Sequence, residues 1–230
     1  MIFIRNSSDR GNSKMDWLNS YHTFSFGSYY DPKYMSFGKL RVINEDTVKP
    51  GNGFGKHSHD NMEIISYVIE GSLSHKDSMG TGSEIKPGEI QCMSAGTGIE
   101  HSEFNNSQTE LLHFLQIWII PEKQKLPPSY EQKIIPQERN KFILIGSNED
   151  KDNAITIHQN VNLFVSYLTK NNKLSYTFEK GRKGWIQLIK GKITLNNQLL
   201  SAGDGAAIKD EDNIEITCIE NAELLFFNLG

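Results

Sequence analysis

Apolar residues along the chain fall into short runs rich in Val, Ile, Phe, Tyr and Thr. KLRVIN, MEIISYVIEG, LLHFLQIWII, KFILIG, NLFVSYLT, GWIQLIKGKITL and ELLFFNL are examples, and clusters of Gly, Asn, Asp and Ser divide them. Runs of this composition, recurring roughly every 8–12 residues, predict β-strands joined by tight turns. Long stretches with a 3.6-residue apolar period are lacking. The expectation is an all-β chain folded as a sandwich or barrel.

The punctuation is uneven. Four of the seven prolines (Pro121, Pro127, Pro128 and Pro136) lie in PEKQKLPPSYEQKIIP. This stiff, polar segment predicts an inter-domain linker at 126–136, between an N-terminal domain at 1–125 and a C-terminal domain at 137–230. A faint internal repeat relates the two parts. YVIEGSLSHKDSMGTGSEIKPGEI and QLIKGKITLNNQLLSAGDGAAI share a strand, a glycine corner, a second strand and a turn. Gly71 then corresponds to Gly191, and Pro87-Gly88-Glu89 to Ala202-Gly203-Asp204. Two tandem copies of one small β-barrel account for this economically.

Composition narrows the function. Twenty-four Lys and Arg against 28 Asp and Glu give a net charge of −4, which argues against a broad nucleic-acid-binding face. The most apolar run, 111–120, is interrupted by His113 and Gln116 and falls short of a membrane helix. The N-terminus MIFIRNSSDR lacks the pattern of a secretory signal, and Cys92 and Cys218 are not spaced as a redox or metal pair. A reduced, cytoplasmic protein is expected. No coiled coil or interface signal marks an oligomer, and a monomer fits the pattern.

The candidate chemistry lies in the seven histidines. His57 and His59 stand two apart in GNGFGKHSHDNMEI, so in a strand both project from one face. His101 and Glu103 repeat the spacing in SAGTGIEHSEFNN, after a turn containing Gly96 and Gly98. On facing strands of one barrel, three imidazoles and one carboxylate build an open metal site. Four ligands leave two positions free on a six-coordinate ion. Thiolates are absent from the set, which disfavours a closed structural zinc and favours one divalent ion: iron, nickel, copper, manganese, cobalt or catalytic zinc. Glu63 shares the parity of His57 and His59, which leaves four readings: a further ligand, a carboxylate orienting a histidine, a base, or simply a charge at a strand end near the barrel mouth. His22 and His75 receive structural readings, His75 as an exposed hairpin residue. His113 has the parity to reach a cavity, and His158 lies beyond the linker without a partner. Aligning Gly71 with Gly191 carries His57, His59 and Glu63 onto Thr177, Glu179 and Lys183. Aligning Gly88 with Gly203 carries His101 and Glu103 onto Ile216 and Cys218. The C-terminal barrel is therefore expected to lack metal ligands.

The ordered strings GNGFGKHSHDNMEI, YVIEGSLSHKDSMG and PGEIQCMSAGTGIEHSEFN, with WLNSYHTFSFGSYYDP and LRVINED before them, resemble the pirin family of bicupins. The bacterial pirin-like quercetin 2,3-dioxygenases look most similar. The resemblance implies two tandem cupin (jelly-roll) barrels, with metal ligands at His57, His59, His101 and Glu103. It also implies a flavonol dioxygenase using iron or another divalent ion, with a flavonol and dioxygen as partners and no direct nucleic-acid or membrane partner. Glu103 or Glu63 is the candidate base for the flavonol 3-hydroxyl. A second reading from another class is a non-enzymatic, metal- or redox-sensing regulatory protein, since the family includes transcription co-regulators.

Overall fold

The computed structural model describes all 230 residues except 150 and 152. Among the described residues the chain is all-β apart from one short 3-10 turn, Ser7–Asp9. In chain order, β1 (Ile2–Arg5) is followed by β2 (Gly11–Lys14), β3 (Leu18–His22), β4 (Leu40–Val48), β5 (Gly53–His59) and β6 (Glu63–Glu70). Next come β7 (Leu73–Asp77), β8 (Gly82–Ile85), β9 (Glu89–Ser94), β10 (Ile99–Phe104), β11 (Leu112–Ile119) and β12 (Ser129–Ile134). The chain finishes with β13 (Ile143–Ser147), β14 (Ile155–Thr156), β15 (Val161–Leu168), β16 (Lys173–Thr177), β17 (Lys183–Leu195), β18 (Gln198–Ser201), β19 (Gly205–Ile208) and β20 (Asn213–Leu229). Among the described residues, no helix is long and apolar enough to cross a membrane.

Two compact units result. The N-terminal unit comprises Gly11–Ile135 with Glu149–Gln159. The C-terminal unit comprises Met1–Arg10, Pro136–Asn148 and Asn160–Gly230. Both depart from the boundaries expected at 125 and 137. Residues 1–10 belong with the C-terminal unit because β1 pairs with β19, from Ile2 opposite Ile208 to Arg5 opposite Gly205. Glu149–Gln159 returns to the N-terminal unit, where the Thr156 amide donates to Glu131 Oε2 at 2.6 Å and Gln159 Nε2 to the Ile120 carbonyl at 2.8 Å. The expected linker at 126–136 is largely strand β12, paired along its length with β9. Its prolines misled the reading for a physical reason: Pro127 and Pro128 precede the first residue of an edge strand, where a missing N–H costs no ladder bond.

In the N-terminal unit a seven-stranded antiparallel sheet, ordered β12-β9-β6-β11-β4-β3-β2, faces a four-stranded sheet, ordered β5-β10-β7-β8. Two apolar clusters bridge them. Val48, Val68, Leu112 and Phe114 meet Leu73 and Ile85 in one, and Ile64 and Met93 meet Ile99 in the other. Between these clusters the large sheet carries a row of polar residues. His22, Asn44, Gln116, Ser66 and Gln91 are successive cross-strand neighbours, and all are buried. One such residue in the middle of each apolar strand is costly unless it is hydrogen-bonded, so this row marks where the interior is not simply core.

The C-terminal unit is an antiparallel sheet ordered β1-β19-β17-β20-β15-β13, with β16 beside β20 and β18 beside β17. Its interior is apolar, formed by Leu188, Ile193, Leu200, Ile216 and Phe226, with Phe164 stacked on Phe226, Tyr176 edge-on to it and Phe142 tilted against it.

The glycines paired by the repeat occupy equivalent corners. Gly71 and Gly191 have φ of 77° and 82°. A Cβ on either would collide with a backbone carbonyl, that of Leu111 or Asn221 respectively. Gly71→Ala and Gly191→Ala are each expected to destabilise the protein by about 2–4 kcal/mol, through left-handed strain plus the collision. Denaturant unfolding measures this, and an unchanged midpoint would contradict it.

Candidate metal centre

Strands β5 and β10 lie side by side, and the ladder places His57 directly opposite His101. Alternation along each strand puts His59 and Glu103 on the same inward face. Ring centroids are 4.4 Å apart for His57–His101, 4.8 Å for His57–His59 and 5.0 Å for His59–His101. One nitrogen from each ring lies within 4.8 Å of the others, a group that could hold a metal ion.

Three observations fit such an ion. Both ring nitrogens of His101 are buried without a hydrogen-bond partner, so an acceptor lone pair is left for a cation. His57 Nδ1 lies 2.7 Å from the Gly55 carbonyl, which makes it the protonated nitrogen and leaves Nε2 as a donor to metal. Burial, reinforced by the neighbouring imidazoles, lowers His101 to about 3, and burial with His57 lowers His59 to about 4. Both rings are then neutral ligands at neutral pH.

Glu103 joins through a second group, His75, His101 and Glu103, whose ligand atoms also lie within 4.8 Å of one another. Its carboxylate is held at both oxygens. Ser66 Oγ donates to Oε1 at 3.2 Å and Gln116 Nε2 to Oε2 at 2.6 Å. The Gln116 amide cannot be reversed, because Trp118 Nε1 donates to its Oε1 at 3.2 Å and an indole N–H can only donate. Burial raises Glu103 to about 7 against the pull of these bonds, with Asp46 adding to the rise. Lone pairs remain for a cation or a proton.

Glu63 does not join the cluster. β5 ends at His59, and Asn61 with φ 46° breaks the extended chain before β6 begins. The parity carried from His57 is lost there, and Glu63 lies on the face opposite Ser66. Ser94 Oγ donates to it at 2.7 Å, while His158 approaches through Nδ1 at 3.0 Å and its backbone N–H at 3.3 Å. His158 thus has a partner. His113 also faces away from the cluster and pairs with Glu45 at 3.0 Å. His22 is buried, with Ser13 Oγ and Asn44 Oδ1 each 2.8 Å from its ring nitrogens.

His75 is buried rather than exposed. Leu73, His75 and Asp77 alternate inward in β7. His75 contacts Asp77 Oδ2 at 3.2 Å, and its ring lies 5.3 Å from that of His101. Asp46 was likewise overlooked. It is 3% exposed, and burial raises it to about 7. The available signal was a polar residue at an inward position of an apolar strand, as in LRVINEDTV.

His57 and His59 open onto a cavity of about 500 Å³, within the roughly 300–1,000 Å³ of small-molecule sites. Trp17, Phe26, Phe54 and Trp118 form its sides, with Trp17 edge-on to Phe54 at 5.3 Å and Phe26 edge-on to Trp118 at 5.4 Å. His59 packs edge-on to Trp118 at 4.9 Å. Asp46, Gln116 and Glu103 supply polar groups. A planar aromatic ligand with hydroxyl groups matches this lining.

Comparison with known proteins agrees with the two-barrel reading. The family model described as Pirin matches residues 4–119, and that for the quercetinase C-terminal cupin domain matches residues 144–229. The chain is 44% identical to a quercetin 2,3-dioxygenase of Escherichia coli over 229 residues, covering 100% of this chain and 99% of that one. It is 38% identical to a pirin-like protein of Caulobacter vibrioides over 218 residues, covering 94% of each. The crystal structure of the bacterial pirin YhhW from Escherichia coli in complex with nickel(II) superposes with a TM-score of 0.96 at 44% identity, covering 100% of this chain and 99% of that one.

Burial of Asp46 gives a pH prediction for the metal-free protein. Between 3.8 and about 7 the folded state holds a proton that the unfolded chain has released. The contribution of Asp46 to stability is thus fully present below about 4 and is lost as pH rises through about 7. The lowered histidines act in the opposite sense, so the wild-type profile alone is ambiguous and a variant is needed. Asp46→Asn is expected to raise stability at pH 8 by on the order of 1–3 kcal/mol, with the gain vanishing near pH 4. Melts across pH test it; a gain independent of pH would contradict it.

Proposed function

The chain belongs to the pirin family, and from that membership and the chemistry of its cavity we propose that it is a metal-dependent dioxygenase cleaving a flavonol such as quercetin with dioxygen. The observation that carries the reading is the convergence of His57, His59 and His101 beside a cavity lined by aromatic rings, with His57, His59 and Glu103 on its wall. We assign the metal to these three imidazoles and Glu103. A bound divalent ion, iron or nickel foremost, supplies Lewis acidity toward the deprotonated 3-hydroxyl of the substrate.

The protein's own residues do the rest. Trp17, Phe54, Phe26 and Trp118 hold the planar rings and exclude water. Glu103 takes the 3-hydroxyl proton, since a carboxylate beside the ion lies within hydrogen-bond reach of that hydroxyl. Gln116 and Ser66 fix its carboxylate, so it is oriented before substrate arrives. Glu63, held by Ser94 and His158, takes no part.

Elemental analysis of the purified protein, paired with quercetin assays with and without oxygen across reconstituted metals, tests the reading. Oxygen-dependent loss of quercetin in at least one metal form is expected. No metal under any reconstitution would overturn it, and metal without turnover would favour the sensing alternative. His57→Ala, His59→Ala or His101→Ala are each expected to lose metal and activity together. Glu103→Gln is expected to keep more metal than activity, and equal loss of both would reduce Glu103 to a ligand.

A further inference from the structure

The polar wall of the cavity holds one acceptor that the protein itself leaves unfilled. Asp46 sits on β4 between Ser20 on β3 and Phe114 on β11, at an inward position two residues from Asn44. It lines the cavity, and its Oδ1 is buried without a hydrogen-bond partner. A buried carboxyl oxygen in that state is uncommon, because its desolvation goes uncompensated.

Its neighbours are already engaged. The ring nitrogens of His22 are occupied by Ser13 and Asn44, and the amide of Gln116 by Glu103 and Trp118. Among the described residues, the cavity lining includes no lysine or arginine. The missing donor must therefore come from outside the protein, as water in the open cavity or as a group of the ligand that displaces it. A ligand that supplies it carries an O–H or N–H on a group without negative charge, because a carboxylate or phosphate would face both Asp46 and Glu103 and be repelled. The aromatic sides ask that this donor be carried on a planar ring.

We propose that Asp46 is a second polar subsite, which binds a ring hydroxyl of the substrate remote from the oxygens facing the histidines. This deepens the proposed function and rests on the cavity being the substrate site. It makes the preferred substrates uncharged, polyhydroxylated planar aromatics. An enol with unsubstituted outer rings would leave Oδ1 unpaired and bind less well.

The test is equilibrium binding to the metal-free full-length protein, read by fluorescence of the cavity tryptophans, with quercetin and 3-hydroxyflavone as probes. The latter carries the 3-hydroxyl and no hydroxyl on its outer rings. Wild type is expected to bind quercetin roughly 10- to 100-fold more tightly, the range for a hydrogen bond to a charged group. Asp46→Ala is expected to abolish most of that preference by weakening quercetin while changing 3-hydroxyflavone less than about twofold. Should Asp46→Ala fail to fold, Asp46→Asn keeps the shape and is expected to lose severalfold of the preference, as a neutral acceptor would.

No preference in wild type, no binding of either probe, or a preference that survives both variants would overturn the subsite. The dioxygenase reading fails separately. An Asp46-dependent preference without oxygen-dependent turnover in any metal form would leave the subsite standing and sink that reading. Turnover of both flavonols at similar efficiency, with no role for Asp46, would do the reverse.

Discussion

Placing ionisable groups inside a β-sandwich carries a desolvation cost, and that cost organises the N-terminal unit. Two carboxyls, Glu103 and Asp46, and the buried imidazoles His75 and His101 lie where water is scarce. Burial is the leading cause of every shift among them: the acids rise toward neutrality and the histidines fall from their ordinary values. The same environment leaves imidazoles as neutral lone-pair donors and carboxyls able to exchange protons near pH 7. A metal site and a proton-transfer site ask for those two properties. The polar row across the large sheet makes the arrangement tolerable by giving Glu103 donors from Ser66 and Gln116, and the apolar rows on either side hold that polar belt in place.

Much of this was legible in the chain. Period-two spacing selected His57, His59, His101 and Glu103, and the ladder between β5 and β10 brings the three histidines together. The all-β architecture followed from strand composition, and the repeat located the two equivalent glycine corners. What escaped depended on long-range pairing or on a break in local geometry. Parity could not be carried through the left-handed Asn61, so Glu63 was assigned to the wrong face. The partner of β1 lies near the far end of the chain, and no local pattern reports such a pairing. His75 was hidden because the turn residues after it made a short inward-alternating strand resemble an exposed hairpin. Asp46 and Gln116 were hidden because one polar residue in an apolar strand looks like an imperfection until its cross-strand neighbours prove to be polar too.

The two units show what the shared barrel plan can and cannot carry. Their glycine corners are equivalent in conformation and in the carbonyl each approaches. Their interiors differ completely. In the C-terminal unit Ile216 and Cys218, the positions aligned with His101 and Glu103, are buried in an apolar core with Leu195 and Phe226. A barrel filled by side chains is the more stable choice, since dispersion and apolar burial are gained without polar groups to satisfy. The N-terminal unit gives up that filling to keep an open cavity. Backbone geometry was therefore retained between the copies, while the chemistry was carried by one of them.

The buried carboxyls of the N-terminal unit form a graded series. Glu63 has a hydroxyl, a backbone amide and an imidazole as partners, and its bonding is complete within the protein. Glu103 has one donor on each oxygen and spare lone pairs facing the histidines. Asp46 keeps one oxygen with none. An acid whose bonds are all internal secures structure, because no ligand can improve its position. An acid left short of partners pays a standing penalty that a ligand can relieve, and the relieved penalty appears as affinity. Hydrogen-bond completeness, more than residue type or charge, therefore separates the acid that ties Glu149–Gln159 to strand β6 from the two that face the cavity.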